Sequence, residues 1–161
     1  MTFETGESDQ ILKGQKWEYP YSYIKIKSGV VILPIYNGKI VTIRQYRHAF
    51  EDFLYELPAG VIDEGETPEE TAMRELYEET GFKADGVRYL RYFYPSPGAA
   101  DEVIYLYSAN CTEQTDQQLE NSEQIDVCIM EESEFADKIN RNKLLHGGAL
   151  VAYLKYKLLK D

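Results

Sequence analysis

The sequence predicts an α+β fold in which strands flank one central helix and two further helices close the chain. Three observations carry this. Residues 21–46 are rich in β-branched and aromatic side chains and are divided by Asn37-Gly38, a strong two-residue hairpin signal. Residues 67–81 carry start and stop signals of a helix at both ends. Apolar stretches of strand length follow, before helical periodicity returns at 147–159. Strands on both sides of a helix imply a mixed sheet between helical layers. At 161 residues and 43% hydrophobic content, the chain is long enough to bury the core of one domain spanning 1–161.

The elements follow in order. Residues 1–16 read as a loosely held arm, and 1–28 as an N-terminal segment of arm and strands. Alternation in Tyr23-Ile24-Lys25-Ile26-Lys27 begins a strand region reaching Tyr36, and Lys39–Tyr46 returns after the turn. A short strand over Phe53–Leu57 leads into a loop from Gly60 to Gly65, whose glycines are free to take positive φ. Thr67 is an N-cap, Pro68 suits the first helical position, and Glu70 completes a capping box. Gly81 ends the helix, which covers 68–80. Strands are expected at 86–94, 102–109 and 124–130, then helices at 133–141 and 147–159. In the last helix Leu150, Tyr153, Leu154 and Leu158 form an apolar stripe suited to core packing.

The central helix lies in an unusually acidic segment. Eight of the twenty residues from Gly60 to Glu79 are acidic, and only Arg74 offsets them. At 100° per residue, Ala72, Met73, Leu76, Tyr77 and Thr80 fall on the side that can pack on a core, while Glu75, Glu78 and Glu79 cluster on the other. Like charges at i,i+3 and i,i+4 repel, and the C-terminal half of a helix is the unfavourable end for anions. Arg74 reaches Glu78 but cannot neutralise three carboxylates. Such a cluster is either a solvated acidic face or a site for a hard divalent cation, and oxygen ligands suit Mg²⁺ or Mn²⁺.

Read by spacing, Gly60–Phe82 is G-x5-E-x7-R-E-L-x-E-E-x-G-F. This resembles the Nudix box, with Phe82 bulkier than the usual aliphatic. Tyr94-Pro95-Ser96-Pro97-Gly98, followed by Asp101-Glu102, resembles the ADP-ribose pyrophosphatase subgroup, as do Arg44-Gln45-Tyr46-Arg47 and Glu56-Leu57-Pro58-Ala59-Gly60. The resemblance covers about residues 30–130 and implies an α/β/α sandwich with a mixed sheet. It implies that Glu75, Glu78, Glu79 and the backbone carbonyl of Ala59 hold Mg²⁺ or Mn²⁺, with Arg74 orienting the glutamates. It also implies a base from the acidic loop Asp116–Gln124. Glu123 and Glu120 are the candidates there; Glu123 lies nearer the following strand, and the other of the two, or Glu123 itself, serves as a further metal ligand.

Substrate contacts are expected from Arg47, whose planar fork matches a phosphate, and from Arg44, Pro97, Gly98 and Glu102, with Arg88 and Arg91 as further cations. Trp17, with Tyr19 and Tyr21, can stack a base, or pack at a dimer interface. The implied reaction is hydrolysis of the pyrophosphate of ADP-ribose to AMP and ribose 5-phosphate. Hydrolysis of another nucleoside diphosphate sugar of the GDP-mannose type and a non-catalytic nucleotide sensor are the alternatives. A net charge of −11 argues against nucleic acid as a partner. No apolar run reaches the length of a membrane span. The polar N-terminus does not resemble a secretory signal, and Cys111 and Cys128 read as buried free thiols. A cytoplasmic homodimer is the expected setting.

Overall fold

In the computed structural model, residues 23–121 and 123–160 are described, together with the backbone of residues 4–7, 11–12, 15–16 and 22. Trp17, Tyr19 and Tyr21 lie outside the described residues. Part of the segment read as a loose arm is strand: β1 (Glu4–Glu7), β2 (Ile11–Leu12) and β3 (Gln15–Lys16). β2 pairs with β3, and β1 pairs antiparallel with β4 (Ser22–Lys25) in a ribbon separate from the main sheet. Backbone hydrogen bonds tie this ribbon to residues 99–101: Ile24 N–H donates to Ala99 O and Asp101 N–H to Ile24 O.

The main sheet is mixed and seven-stranded. β5 (Gly29–Tyr36) and β6 (Lys39–Arg47) form the predicted hairpin, with Asn37 and Gly38 both at positive φ in the turn. These strands pair only next to the turn, at Ile35–Ile40 and Tyr36–Lys39. Beyond that they part, and the chain fills the gap itself. β7 (Asp52–Glu56) pairs with β6, and β8 (Ala59–Val61) pairs with β5. β8 is a departure from the sequence reading, which began a loop at Gly60. Its pairing with the start of β5 depends on residues thirty positions upstream, which no local signal records. After helix α1 (Pro68–Thr80) come β9 (Phe82–Phe93), β10 (Ile104–Gln114) and β11 (Ile125–Met130). The order is β11-β6-β5-β10-β9, with β10 parallel to β5 and all other pairs antiparallel.

Helices cover both faces. Central β5 is apolar on both sides, as a strand buried in a sandwich must be. Val30 and Ile32 pack with Val41, Ala72, Leu76 and Phe82 under α1. Val31 and Leu33 pack with Leu106, Phe135, Leu144, Ala149 and Ala152 under α2 (Glu132–Asn140) and α3 (Gly147–Leu158). This is the α/β/α sandwich expected. Phe82, the bulky departure at the end of the motif, is fully buried and lies 4.8 Å from the Tyr36 ring. Of the predicted stripe, Leu150 and Tyr153 pack on the core while Leu154 and Leu158 are exposed; α3 also packs through buried Ala149 and Ala152, whose small side chains let the helix approach the sheet. Cys111 and Cys128 are free and half-buried.

Candidate functional site

The capping box is present: Thr67 Oγ1 accepts from Glu70 N–H, and the Glu70 carboxylate accepts from Thr67 N–H at 2.8 Å. Gly81 closes the helix at φ 70°. The buried side of α1 is rotated from the expected one. Thr71, Ala72, Leu76, Glu79 and Thr80 are buried, while Met73 and Tyr77 are only half-buried. The three glutamates are therefore not one solvated face. Glu79 is 3% exposed, the Glu75 side chain 12%, and that of Glu78 37%. The cause is tertiary: β8 and the loop before β11 close over this end of the helix.

Each glutamate is held. Glu79 Oε2 accepts from Ala59 N–H at 2.9 Å, so the carboxylate sits where β5 and β6 have parted. Arg74 Nη1 donates to Glu75 Oε1 at 2.7 Å and to Glu78 Oε2 at 3.0 Å. Its Nε and Nη2 grip both oxygens of Glu66, each at 2.9 Å, and Nη2 also reaches Val61 O at 3.2 Å. Glu66 occupies a fixed position of the motif, yet the sequence reading gave it no role. Arg74 and Thr71 draw its carboxyl down to about 2. Gly60 does not take positive φ, contrary to expectation. Its glycine is required by space, because a Cβ there would overlap the Glu75 carboxylate.

The acidic loop is fastened to the C-terminal carbonyls that a helix cannot satisfy internally. Gln118 N–H donates to Glu78 O at 2.8 Å, Gln117 Nε2 to Glu79 O at 2.5 Å, Gln114 Nε2 to Thr80 O at 3.2 Å, and Thr115 N–H to Gly81 O at 2.8 Å. This brings Glu120 and Glu123 across from the helix. A cleft of about 510 Å³ is lined by Ala59, Gly60, Glu75, Glu78, Glu120 and Glu123, with Arg74 and Glu66 in its wall. Glu123 accepts from Glu120 N–H at 2.9 Å. The two loop glutamates differ in electrostatics: the charge of Glu123 acts on Glu75, Glu79 and Arg47. Burial pushes Glu75 up to about 7, opposed by Arg74 and helped by the charges of Glu78 and Glu123. Burial likewise raises Glu79 well above the ordinary range, opposed by its bond from Ala59 N–H.

Arg47 and Arg44 part company. They are three residues apart on β6 and so point to opposite faces. Arg47 shares the α1 face with Glu79 and Glu123, but its Nε and Nη2 are clamped by buried Glu56 at 2.7 and 2.6 Å. Arg44 lies over the Phe53 ring at 4.4 Å and 3.6 Å from Asp126, away from the cleft. Arg88 and Arg91 sit on β9, the outer strand of the sheet, and are exposed. Pro97 and Gly98 are exposed in the turn before β10, and Glu102 is half-buried there. None of the three lines the cleft. Gly29 pairs with cleft-lining Val61 on one side and with Ile104 on the other, so the start of β10 lies two strands, roughly 10 Å, from Val61.

The donor set fits a hard divalent cation. Glu75, Glu78 and Glu123 face the cleft from a helix and a loop, Glu79 is buried against Ala59 N–H, and the absent Cβ of Gly60 lets the Glu75 carboxylate into its place. On the same sheet face as Arg47, buried Gln45 Oε1 has no hydrogen-bond partner among the described residues. Among those residues no three acidic, His or Cys side chains stand close enough to form a ready cage. Glu75 and Glu78 instead share Arg74, and Glu79 accepts from Ala59 N–H. His48 is exposed; His146, half-buried just before α3, has Glu56 Oε2 3.8 Å from its Nδ1, and among the described residues neither histidine joins a group of three that could hold a metal ion. Among the described residues no helix is long and apolar enough to cross a membrane.

The NUDIX domain family model matches residues 25–147. The chain is 34% identical over 140 residues to an ADP-ribose pyrophosphatase of Bacillus subtilis, covering 86% of this chain and 76% of that protein. It is 35% identical over 139 residues to a methanol dehydrogenase activator of Bacillus methanolicus, covering 86% and 68%. A solved structure described as an ADP compounds hydrolase has the same fold, with a TM-score of 0.79 at 20% identity over 98% of this chain and 84% of that one. The motif, the sandwich and the family match agree: the chain belongs to the Nudix family.

Proposed function

We propose that this Nudix pyrophosphohydrolase cleaves the pyrophosphate bond of ADP-ribose, giving AMP and ribose 5-phosphate. The observation that carries the reading is a cleft that sets Glu75 and Glu78 of α1 across from Glu123 of the loop, with buried Glu79 close enough to feel the charges of Glu75 and Glu123. It is supported by relatives named ADP-ribose pyrophosphatase in Bacillus subtilis and, at 33% identity over 73% of this chain, in Mycobacterium tuberculosis. In this reading Glu75, Glu78, Glu79 and the Ala59 carbonyl hold Mg²⁺ or Mn²⁺, with Glu123 as a further ligand or as the base. Bound there, the ion supplies charge neutralisation at the phosphate oxygens.

The chain's own residues do the rest. Glu123 takes the proton of the attacking water, while the water oxygen bonds to one phosphorus and the bond to the bridging oxygen breaks. Glu123 is preferred over Glu120 because its charge reaches Glu75 and Glu79. Arg74, anchored by Glu66, keeps Glu75 and Glu78 in place. Arg47 offers the Nη1 edge of its guanidinium to a phosphate, its other edge being held by Glu56. Pro97, Gly98, Glu102 and Trp17 are contacts with the far end of the substrate, whereas Arg44 packs over Phe53 beside Asp126, away from the cleft.

The setting in this reading is cytoplasmic, with a homodimer in which residues 1–28 meet the second subunit. The separate β1–β4 ribbon supports this, since two strands alone are marginal in water. A second reading, a nucleoside diphosphate sugar of the GDP-mannose type, is favoured by a relative named GDP-mannose pyrophosphatase in Yersinia enterocolitica, 37% identical over 79 residues, 45% of this chain. Turnover of ADP-ribose, GDP-mannose and UDP-glucose at equal concentration, with products resolved by chromatography, decides between them. Preferred release of AMP and ribose 5-phosphate supports the first reading; preference for GDP-mannose overturns it.

A further inference from the structure

The segment Glu56–Gly60 carries much of the site, and five contacts locate it. Glu56 clamps Arg47. Pro58 O accepts from Ile32 N–H at 2.9 Å. Ala59 N–H donates to Glu79 at 2.9 Å, and Gly60 fits beneath Glu75. The fifth contact comes from far away in sequence. Nδ1 of His146, the residue before α3, accepts from Leu57 N–H at 3.4 Å and lies 3.8 Å from Glu56 Oε2. The imidazole itself is seated against α3, where a Cβ on Gly148 would lie 3.2 Å from Nε2. Its side chain is 21% exposed, and that of Glu56 5%.

We infer that His146 is a positioning residue: its neutral Nδ1 docks the Glu56–Leu57 turn onto the start of α3 and so sets the places of Ala59, Gly60 and Arg47 against the glutamates. The inference rests on the reading of Glu75 and Glu79 as working groups of the cleft. Three facts carry it. Leu57 N–H lies where β7 has ended and β8 has not begun, so no ladder partner serves it. A buried backbone donor without an acceptor costs free energy, which gives the His146 contact its weight. The segment it fixes is short: only Pro58 lies between Leu57 and Ala59, whose N–H bonds Glu79, and Glu56 is the residue next to Leu57. Acceptance by Nδ1 requires the proton of the neutral ring on Nε2. Burial favours the neutral ring.

The test compares three substitutions in the full chain. His146→Asn places its amide oxygen close to where Nδ1 stands and can still accept from Leu57. His146→Gln carries its oxygen one bond further out, and His146→Ala carries none. Changes to groups that orient working side chains cost about 10–100-fold. The expected result is a fall in kcat on the best nucleotide substrate of at least tenfold for Ala and Gln, with recovery to within about threefold for Asn. In the same proteins without substrate or metal, amide exchange at Leu57 and Ala59 should speed up in the Ala and Gln variants and return toward the wild-type rate in Asn. Wild-type kcat in the Ala variant overturns the inference. So does equal impairment of Asn, Gln and Ala, which would mean that ring packing rather than the acceptor matters. If the wild-type chain cleaves no nucleoside diphosphate compound, the functional reading falls by itself, while the exchange pattern still decides the docking role of His146.

Discussion

Replacing Gly60 by Ala adds one methyl group at the point where β8 passes beneath Glu75. The new Cβ would overlap Glu75 Oε1 and Cδ. The backbone cannot yield, because Gly60 is paired with Val30 in the sheet and is followed by Val61, paired with Gly29. The carboxylate must therefore move, by on the order of 1 Å or more, to regain ordinary contact near 3.5–4.0 Å. That breaks the 2.7 Å bond from Arg74 Nη1. Stability should change little. Overpacking a core costs about 1–3 kcal/mol, but here the group displaced is the end of a flexible side chain. It also leaves surroundings in which burial holds its carboxyl up at about 7, so the cost should fall at or below the low end. The rate should change much more. A working group misplaced by 1 Å costs roughly 100-fold, about 2.7 kcal/mol of barrier. The assay pairs kcat on ADP-ribose at saturating Mg²⁺ with a thermal melt. Gly147→Ala, where an added Cβ meets nothing within 4 Å, is the control and should keep both values. A folded Gly60→Ala protein with wild-type kcat would refute the claim that Glu75 must stand where it does.

Glu79→Gln can still accept from Ala59 N–H but loses its charge, so a normal melt with a rate lower by orders of magnitude is expected, alongside loss of wild-type turnover in excess EDTA; full activity of either would remove the metal from the mechanism. Glu123→Gln should lower kcat far more than Glu120→Gln, because the charge of Glu123 reaches Glu75, Glu79 and Arg47; the opposite order in steady-state kinetics moves the base to Glu120. His146 supplies a pH effect on stability. Burial depresses its pKa, Arg47 adds to this and Glu56 opposes it. The unfolded chain therefore binds a proton near pH 6.5 that the folded chain refuses, and the stability held above that pH is lost as pH falls through and below it. Urea unfolding from pH 7.5 to 5.5 should show a smaller loss for His146→Asn than for wild type; identical pH slopes would contradict it.

The sequence by itself determined what depends on neighbours along the chain. The helix over 68–80, its capping box and Gly81 stop are local hydrogen-bonding and φ requirements, and they stand as read. The Asn37-Gly38 turn is of the same kind. The spacing of Glu75, Glu78, Glu79 and Arg74 was enough to mark the family, because a helix converts spacing into direction. What spacing could not supply was the environment of those directions. Whether Glu79 meets water or protein depends on β8 filling the gap between β5 and β6, and on Gln114, Gln117 and Gln118 finding the open carbonyls at the end of α1. Both are contacts between segments remote in sequence. The same holds for the arginines: strand alternation could have separated Arg44 from Arg47, but only the assembled sheet shows which face carries the glutamates. Gly60 illustrates the division. Its identity was legible as a motif position, while its reason, a close approach to Glu75 rather than a left-handed φ, exists only once helix and strand are packed.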